Sequence, residues 1–245
     1  MKKLIFLTLI LVLAIGFTLS GIGCKAESES TAAVTTAAVE TTAAVETTAA
    51  ETTAATSDKP YAGKVVAYAP KTLNNPFHAA IGNEIQKAAD EQGIKLLVAA
   101  PPKETDVDQQ VAILENYVQM KVDAILTVVS SGSQVVDVIN EAAAAGIPVF
   151  VIDTPSDPCG FISFIGTDNY AGGILAADWI GKNVKEGGVV ILDAYSGNLA
   201  TTARRNGFMD TIGKYPDIKV VGETFANADK GEALTAMENF MTAYP

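Results

Sequence analysis

The sequence predicts an α/β protein whose parallel sheets are covered by helices on both faces and whose body is divided into two lobes. Three observations carry this. From Tyr61 onward, strand-like apolar runs alternate with helix-like segments. The runs are almost continuously apolar, as strands buried on both faces are. At one place, the TPSDPCG stretch between Asp153 and Phe161, two runs follow each other with no helix between them. That gap suggests passage from one sheet to another and places a lobe boundary near Thr167–Asp168.

The chain opens with an address. Lys2 and Lys3 precede an apolar run, Leu4–Leu19, which is shorter than the ~20 residues of a membrane-spanning helix, and small residues follow at Ser20, Gly21 and Gly23. This reads as an export signal over residues 1–23. Cys24 comes next and resembles the lipid-modified cysteine of bacterial lipoproteins, although Gly21 stands where that group prefers Leu. The alternative is an ordinary signal peptide that leaves a free thiol. Residues 24–60 are expected to form the lipidated N-terminus and a disordered linker. TTAAVE recurs at Thr35–Glu40 and Thr41–Glu46, and the segment holds no aromatic residue. Such a stretch cannot bury enough surface to offset its ordering entropy.

The globular elements follow in order. Val65–Ala69 is a strand. Pro76–Gln92 is a helix, with Asn75 placed to cap it, Pro76 at its first position, and Phe77, Ile81, Ile85, Ala88 and Ala89 along one face. Further strands are predicted at Leu96–Ala100, Ala124–Val129, Pro148–Asp153, Phe161–Gly166, Val189–Asp193 and Lys219–Phe225. The predicted helices are Val107–Met120, Ser133–Ala145, Ala171–Val184, Ala200–Lys214 and Lys230–Tyr244. Gly93, Gly146 and the pair Gly187–Gly188 are placed as helix C-caps. The lobes are expected at 61–167 and 168–245. Counting Phe161–Gly166, the second lobe has three strand candidates. No strand follows to cover Leu234, Met237, Phe240 and Met241 on the last helix, so this lobe is expected to be incomplete.

Composition excludes several function classes. The formal charge is −11, and −13 once Lys2 and Lys3 are removed with the signal. Such an acidic surface argues against nucleic acid as a partner. Two cysteines make no disulfide framework, and a single histidine makes no His-rich metal site. There is no nucleotide-binding P-loop and no G-x-S-x-G elbow, and YSG at Tyr195–Gly197 is too short to count as one. No cofactor and no enzymatic activity are expected.

Ligands of open α/β sheets bind beyond the carboxyl ends of the strands. That rule singles out Asn75, Phe77 and His78 after the first strand, Ser130 after the third, and Asp153 at the end of the fourth. Asn75 serves equally as a helix cap, Phe77 as a core residue, and Ser130 as part of a turn. Asp153 closes the apolar run Val149–Ile152, where a carboxylate needs donors, and two adjacent hydroxyls of a ligand would supply them.

TLNNPF, GIPVFVID, the IGTDNYAGG at Ile165–Gly173 and the ARRNGF at Ala203–Phe208 together resemble the ribose-type sugar-binding proteins of the periplasmic binding protein type I family. The resemblance covers Lys64 to Pro245. It implies a two-lobed fold of that type, truncated at its C-terminus, that clasps a sugar between the lobes for an ATP-driven (ABC) importer. It also implies that Arg204 binds ligand hydroxyls, and that His78 stands where a second aromatic is usual. Thr154 replaces an Arg that commonly follows the Asp, and Ala228 replaces a bulky aromatic; both departures put ribose itself in doubt. Arg205 reads as a solvated surface charge. The expected ligand is a neutral monosaccharide or polyol, and the expected partners are ABC permease subunits and, through acylated Cys24, the membrane. A monomeric, exported, surface-tethered protein is expected. The alternatives are a sensory protein presenting a sugar or furanose signal to a receptor and, less compatible with an export signal, a gene repressor.

Overall fold

The computed structural model describes residues Lys59–Pro245. The signal peptide at 1–23, Cys24 and the linker up to residue 58 lie outside the described residues. Seven strands and six helices alternate among them except where β5 follows β4 directly: β1 Val65–Ala69, α1 Pro76–Gln92, β2 Lys95–Val98, α2 Val107–Gln119, β3 Ala124–Thr127, α3 Val136–Ala144, β4 Val149–Ile152, β5 Ser163–Ile165, α4 Asn169–Asn183, β6 Gly187–Asp193, α5 Leu199–Ile212, β7 Ile218–Phe225 and α6 Lys230–Ala243. Strands β2-β1-β3-β4-β5 form one sheet and β6-β7 a second, every pairing being parallel.

Local chemistry explains the element ends. Asn75 Oδ1 accepts the Phe77 N–H at 3.0 Å, Pro76 occupies the first turn, and Gly93 closes α1 in the left-handed conformation (φ 71°). Asp168, Asn198 and Asp229 cap α4, α5 and α6 in the same way. The first sheet is sealed by Ala67, Leu114, Tyr117, Ile125, Ile139, Val149 and Val151, all buried. The second core is small, built on Ala177, Ile212 and Ile218 with Phe208 and Tyr215 packed against it.

Three expectations are corrected. The strand at Phe161–Gly166 does not open the second sheet: β5 pairs with β4, Phe150 opposite Ser163, and completes the first sheet. A parallel crossover needs length rather than a helix, and the irregular segment Asp153–Ile162 supplies it. Gly187 and Gly188 cap no helix; they open β6 opposite Ile218 and Lys219. Arg205 is not simply solvated, because its guanidinium forks onto both carboxylate oxygens of Glu223 on β7. On α6, Leu234, Met237 and Met241 are exposed, while Phe240 packs over Gly222.

Two glycines explain why the motifs IGTDNYAGG and ARRNGF have their form. Gly173 of α4 lies against the Arg204 carbonyl, and Gly207 of α5 lies against the Tyr170 carbonyl, so a methyl on either would collide with the facing backbone. The two helices therefore meet backbone to backbone, which fixes where α5 presents Arg204. Gly207→Ala is expected to cost about 1–3 kcal/mol through overpacking, read as a lower denaturant midpoint. An unchanged midpoint would show that the helices separate at no cost.

Candidate functional site

The carboxyl ends of the two sheets face each other across a cleft. Its inner chamber, about 510 Å³, is lined from the first sheet by Lys71, Asn75, Phe77, His78, Glu104, Asp153, Thr154 and Thr167. The second sheet and its helix contribute Ala194, Asn198, Ala200, Thr201, Arg204 and Ala228. An outer chamber of about 860 Å³ adjoins it and shares Asn75, Glu104 and Ala228.

Of the residues singled out in the sequence, Asn75, Phe77, His78, Asp153, Thr154 and Arg204 come together in the inner chamber. Phe77 is 53 % exposed and so is no core residue. Its ring meets His78 at 5.5 Å and 62°, an edge-on pair forming one wall. Asp153 sits at the tip of β4 with φ 61°, a conformation that Asp tolerates better than most residues. The Thr154 hydroxyl donates to Asp153 Oδ2 at 3.0 Å. Arg204 donates through Nε to Asn169 Oδ1 at 2.7 Å, which orients the remainder of its guanidinium. Ser130 is not brought to the chamber. It is fully buried, its amide donating to Gln110 Oε1 at 2.7 Å. Gln110 also donates to the carbonyls of Ala69 and Val128, tying the tips of β1 and β3 together.

Sequence reasoning missed two charged residues that dominate the chamber. Glu104, in the loop after β2, accepts from Asn75 Nδ2 at 2.8 Å and lies 3.5 Å from His78 Nε2. Burial works to raise its carboxyl, but the hydrogen bonds from His78 and Asn75 and the nearby Lys71 charge outweigh that, holding it below the usual carboxylate range. Lys71, in the loop after β1, is only 2 % exposed. Its ammonium lies 5.6 Å from the centroid of the Tyr195 ring, a cation–π contact across the cleft. Burial lowers its pKa against the opposing pull of Glu104 and Asp153, and Arg204 lowers it further. The strand-tip rule that found Asn75 and Asp153 applies equally to the tip of β2, and it would have found Glu104. Tyr195 and Asn198 are reached by the same rule after β6.

Among the described residues Lys71 makes no ion pair within 4.0 Å. A buried ammonium without a close counter-charge destabilises the empty protein. Lys71→Met is therefore expected to raise Tm by about 2–4 °C, the shift that 1 kcal/mol produces in a body of this size. A lowered Tm would show that Tyr195 and the more distant carboxylates already compensate the charge.

The comparisons agree with this architecture. The sequence model of the family described as periplasmic binding protein domain matches residues 66–245. The ribose import binding protein of Bacillus subtilis is 29 % identical over 181 residues, covering 74 % of this chain and 58 % of that protein. The D-allose-binding periplasmic protein of Escherichia coli is 29 % identical over 198 residues, covering 77 % of this chain and 64 % of its own. A carbohydrate transporter solute-binding protein from Agrobacterium radiobacter, solved in complex with D-arabinose, superposes with a TM-score of 0.71 at 32 % identity, covering 74 % of this chain and 63 % of that one. The chain thus spans less than two thirds of the length of these relatives. With the match running through both sheets and every loop that lines the cleft, the chain belongs to the periplasmic binding protein domain family.

Proposed function

We propose that the protein is the solute-binding component of an ABC importer and holds a monosaccharide or similar polyol between its two lobes, taken as 61–167 and 168–245. One observation carries the reading: an exposed aromatic ring, Phe77, backed edge-on by the buried His78, shares one chamber with hydrogen-bonding groups at Asp153, Asn75 and Arg204. A sugar ring has an apolar face for the first and a rim of hydroxyls for the second. Asp153 accepts two adjacent hydroxyls, Arg204 and Lys71 donate to others, and Phe77 stacks on the C–H face. The sugar-import and sugar-complexed relatives support the same reading. Closure of the lobes on the ligand then presents the surface that a permease recognises.

A thermal-shift screen against sugars, polyols and amino acids tests this. A ligand at 100 times its dissociation constant stabilises the folded state by ~2.7 kcal/mol. If amino acids raise Tm and no sugar or polyol does, the reading fails.

The proposed location is outside the cytoplasmic membrane, tethered through acylated Cys24 on the Thr/Ala-rich linker. Two acyl chains at ~0.8 kcal/mol per buried CH₂ anchor stably where one does not. Cys24→Ser is expected to release the protein from the membrane fraction; retention there would overturn the tether.

A further inference from the structure

We propose that Tyr195 is a positioning residue for sugar binding: from the second sheet, its ring holds the Lys71 ammonium of the first with the N–H donors free for the ligand. This rests on the sugar-binding reading above, in which Lys71 donates to a ligand oxygen. Lys71 is 2 % exposed and lines the inner chamber, and its Nζ lies 5.6 Å from the centroid of the Tyr195 ring. An ammonium buried this deeply sheds its proton more readily unless something favours the charge. Glu104, in the loop after β2, and Asp153, at the tip of β4, both favour it, but neither pairs with it within 4.0 Å. Arg204 on α5 works against it. The ring face of Tyr195 is the partner in contact.

The nature of that partner matters. A carboxylate in contact would draw the three N–H donors of the ammonium into directed hydrogen bonds. A ring face attracts the charge through its quadrupole and leaves those donors available. Tyr195 itself remains a neutral phenol, because burial, and after it the Glu104 charge, raise the pKa of its hydroxyl. Lys71 is lowered and Tyr195 raised, so the ring stays uncharged while Lys71 titrates. A cation–π contact uses the ring, and the Tyr195 hydroxyl has no hydrogen-bond partner among the described residues, so phenylalanine is the conservative replacement.

The ring is fixed without help from a ligand. Tyr195 is 4 % exposed and stands outside the lining of both chambers. Its loop is tied to the end of β7: the Ala226 N–H donates to the Asp193 carbonyl at 2.9 Å, and the Ala228 N–H to the Ala194 carbonyl at 3.2 Å. The Asn198 N–H closes the turn onto the Tyr195 carbonyl at 3.3 Å. Toward the first sheet, the Gly132 N–H donates to the Gly197 carbonyl at 3.4 Å, and a methyl on Gly132 would collide with Leu199. The loop is thus seated against the segment after β3 as well as under Lys71, and the ring reaches Lys71 from a backbone anchored on both sheets.

A pH titration of the full chain carrying ¹³C-labelled lysine, read by NMR with the Lys71 signal assigned from Lys71→Met, tests this without a ligand. Tyr195→Leu is expected to lower the Lys71 midpoint by about one pH unit, the equivalent of a desolvated cation–π contact, and Tyr195→Phe to leave it within about 0.3. Tyr195→Met, which also lacks a ring, takes the place of the Leu variant if that does not fold. Isothermal titration with ribose, arabinose, glucose and galactose gives the second readout. Any of these that binds the wild type should bind the Leu variant about tenfold more weakly or worse, with affinity restored in the Phe variant. A Lys71 midpoint unmoved by Tyr195→Leu, or moved as far by Tyr195→Phe, would overturn the proposal and leave the sugar reading intact. A moved midpoint with unchanged sugar affinity would overturn the role in binding. Absence of binding by any of these sugars to the wild type would remove that role together with the reading beneath it.

Discussion

Asp153→Ala is expected to abolish the thermal stabilisation that sugar confers. The carboxylate stands at the tip of β4 within the inner chamber, and one oxygen is already oriented by the Thr154 hydroxyl at 3.0 Å. Hydrogen bonds to a charged group contribute ~1.5–3 kcal/mol each. Two lost together weaken binding at least a hundredfold, since 1.4 kcal/mol is a factor of ten. The substitution also places alanine at φ 61°, which costs the empty protein roughly 1 kcal/mol. Asp153→Asn separates the two effects, because Asn tolerates this backbone conformation and keeps the shape while losing the charge. The expected order of affinity is wild type, then Asn, then Ala, measured by titration. Sugar binding that survives Asp153→Ala would remove Asp153 from the site.

Glu104→Ala is expected to be the most damaging single change to the empty protein. Its carboxylate is the shared partner of Asn75 Nδ2 and His78 Nε2, and the His78 side chain is only 3 % exposed. Each buried donor left without a partner costs about 1–3 kcal/mol. The Lys71 ammonium also loses the larger of the two carboxylate influences that favour its charge. The consequence extends to binding, because Asn75 and His78 form the wall behind Phe77. Denaturant titration should show a loss of several kcal/mol; a loss within 0.5 kcal/mol, the range of ordinary surface changes, would show that Asn75 and His78 are held by other means.

The same carboxylate sets a pH dependence. Glu104 is held below its ordinary value in the folded state, so between that depressed value and the ordinary ~4.3 the unfolded chain binds more protons. Stability is accordingly full above the ordinary glutamate range and declines as pH falls through the folded value. Glu104→Gln should flatten this acid limb, and an unchanged limb would assign it to other carboxylates.

Much of the fold was legible because it is local. The cap at Asn75, the proline after it and Gly93 at the far end bounded α1 correctly, each acting within a few residues. Asp153 was legible because an acidic residue closing an apolar strand requires an explanation wherever the strand lies. The assignment of Phe161–Gly166 to the second sheet failed because an apolar run carries no record of which edge it pairs with. The missing helix argued for a new sheet, and the length of Asp153–Ile162 allowed a crossover in the old one. The position of Ser130 was not legible for a related reason: a residue at a strand tip can turn toward the cleft or beneath it, and the Gln110 side chain holds the amide of this buried one.

By itself, then, the sequence determined the alternation of elements, most of their ends, and the set of loops from which a site could be drawn. These follow from periodicity, capping and buried-strand composition, which act over a turn or a strand. Only the tertiary structure decided which loops meet. The order β2-β1-β3-β4-β5 sets the tip of β2 beside that of β1, and so brings the Glu104 carboxylate to Asn75 and His78. The facing second sheet puts Tyr195 under Lys71 and Ala228 in the lining that the two chambers share. Those contacts join residues far apart in the chain, and their energies depend on burial and on partners that exist only once both sheets have formed.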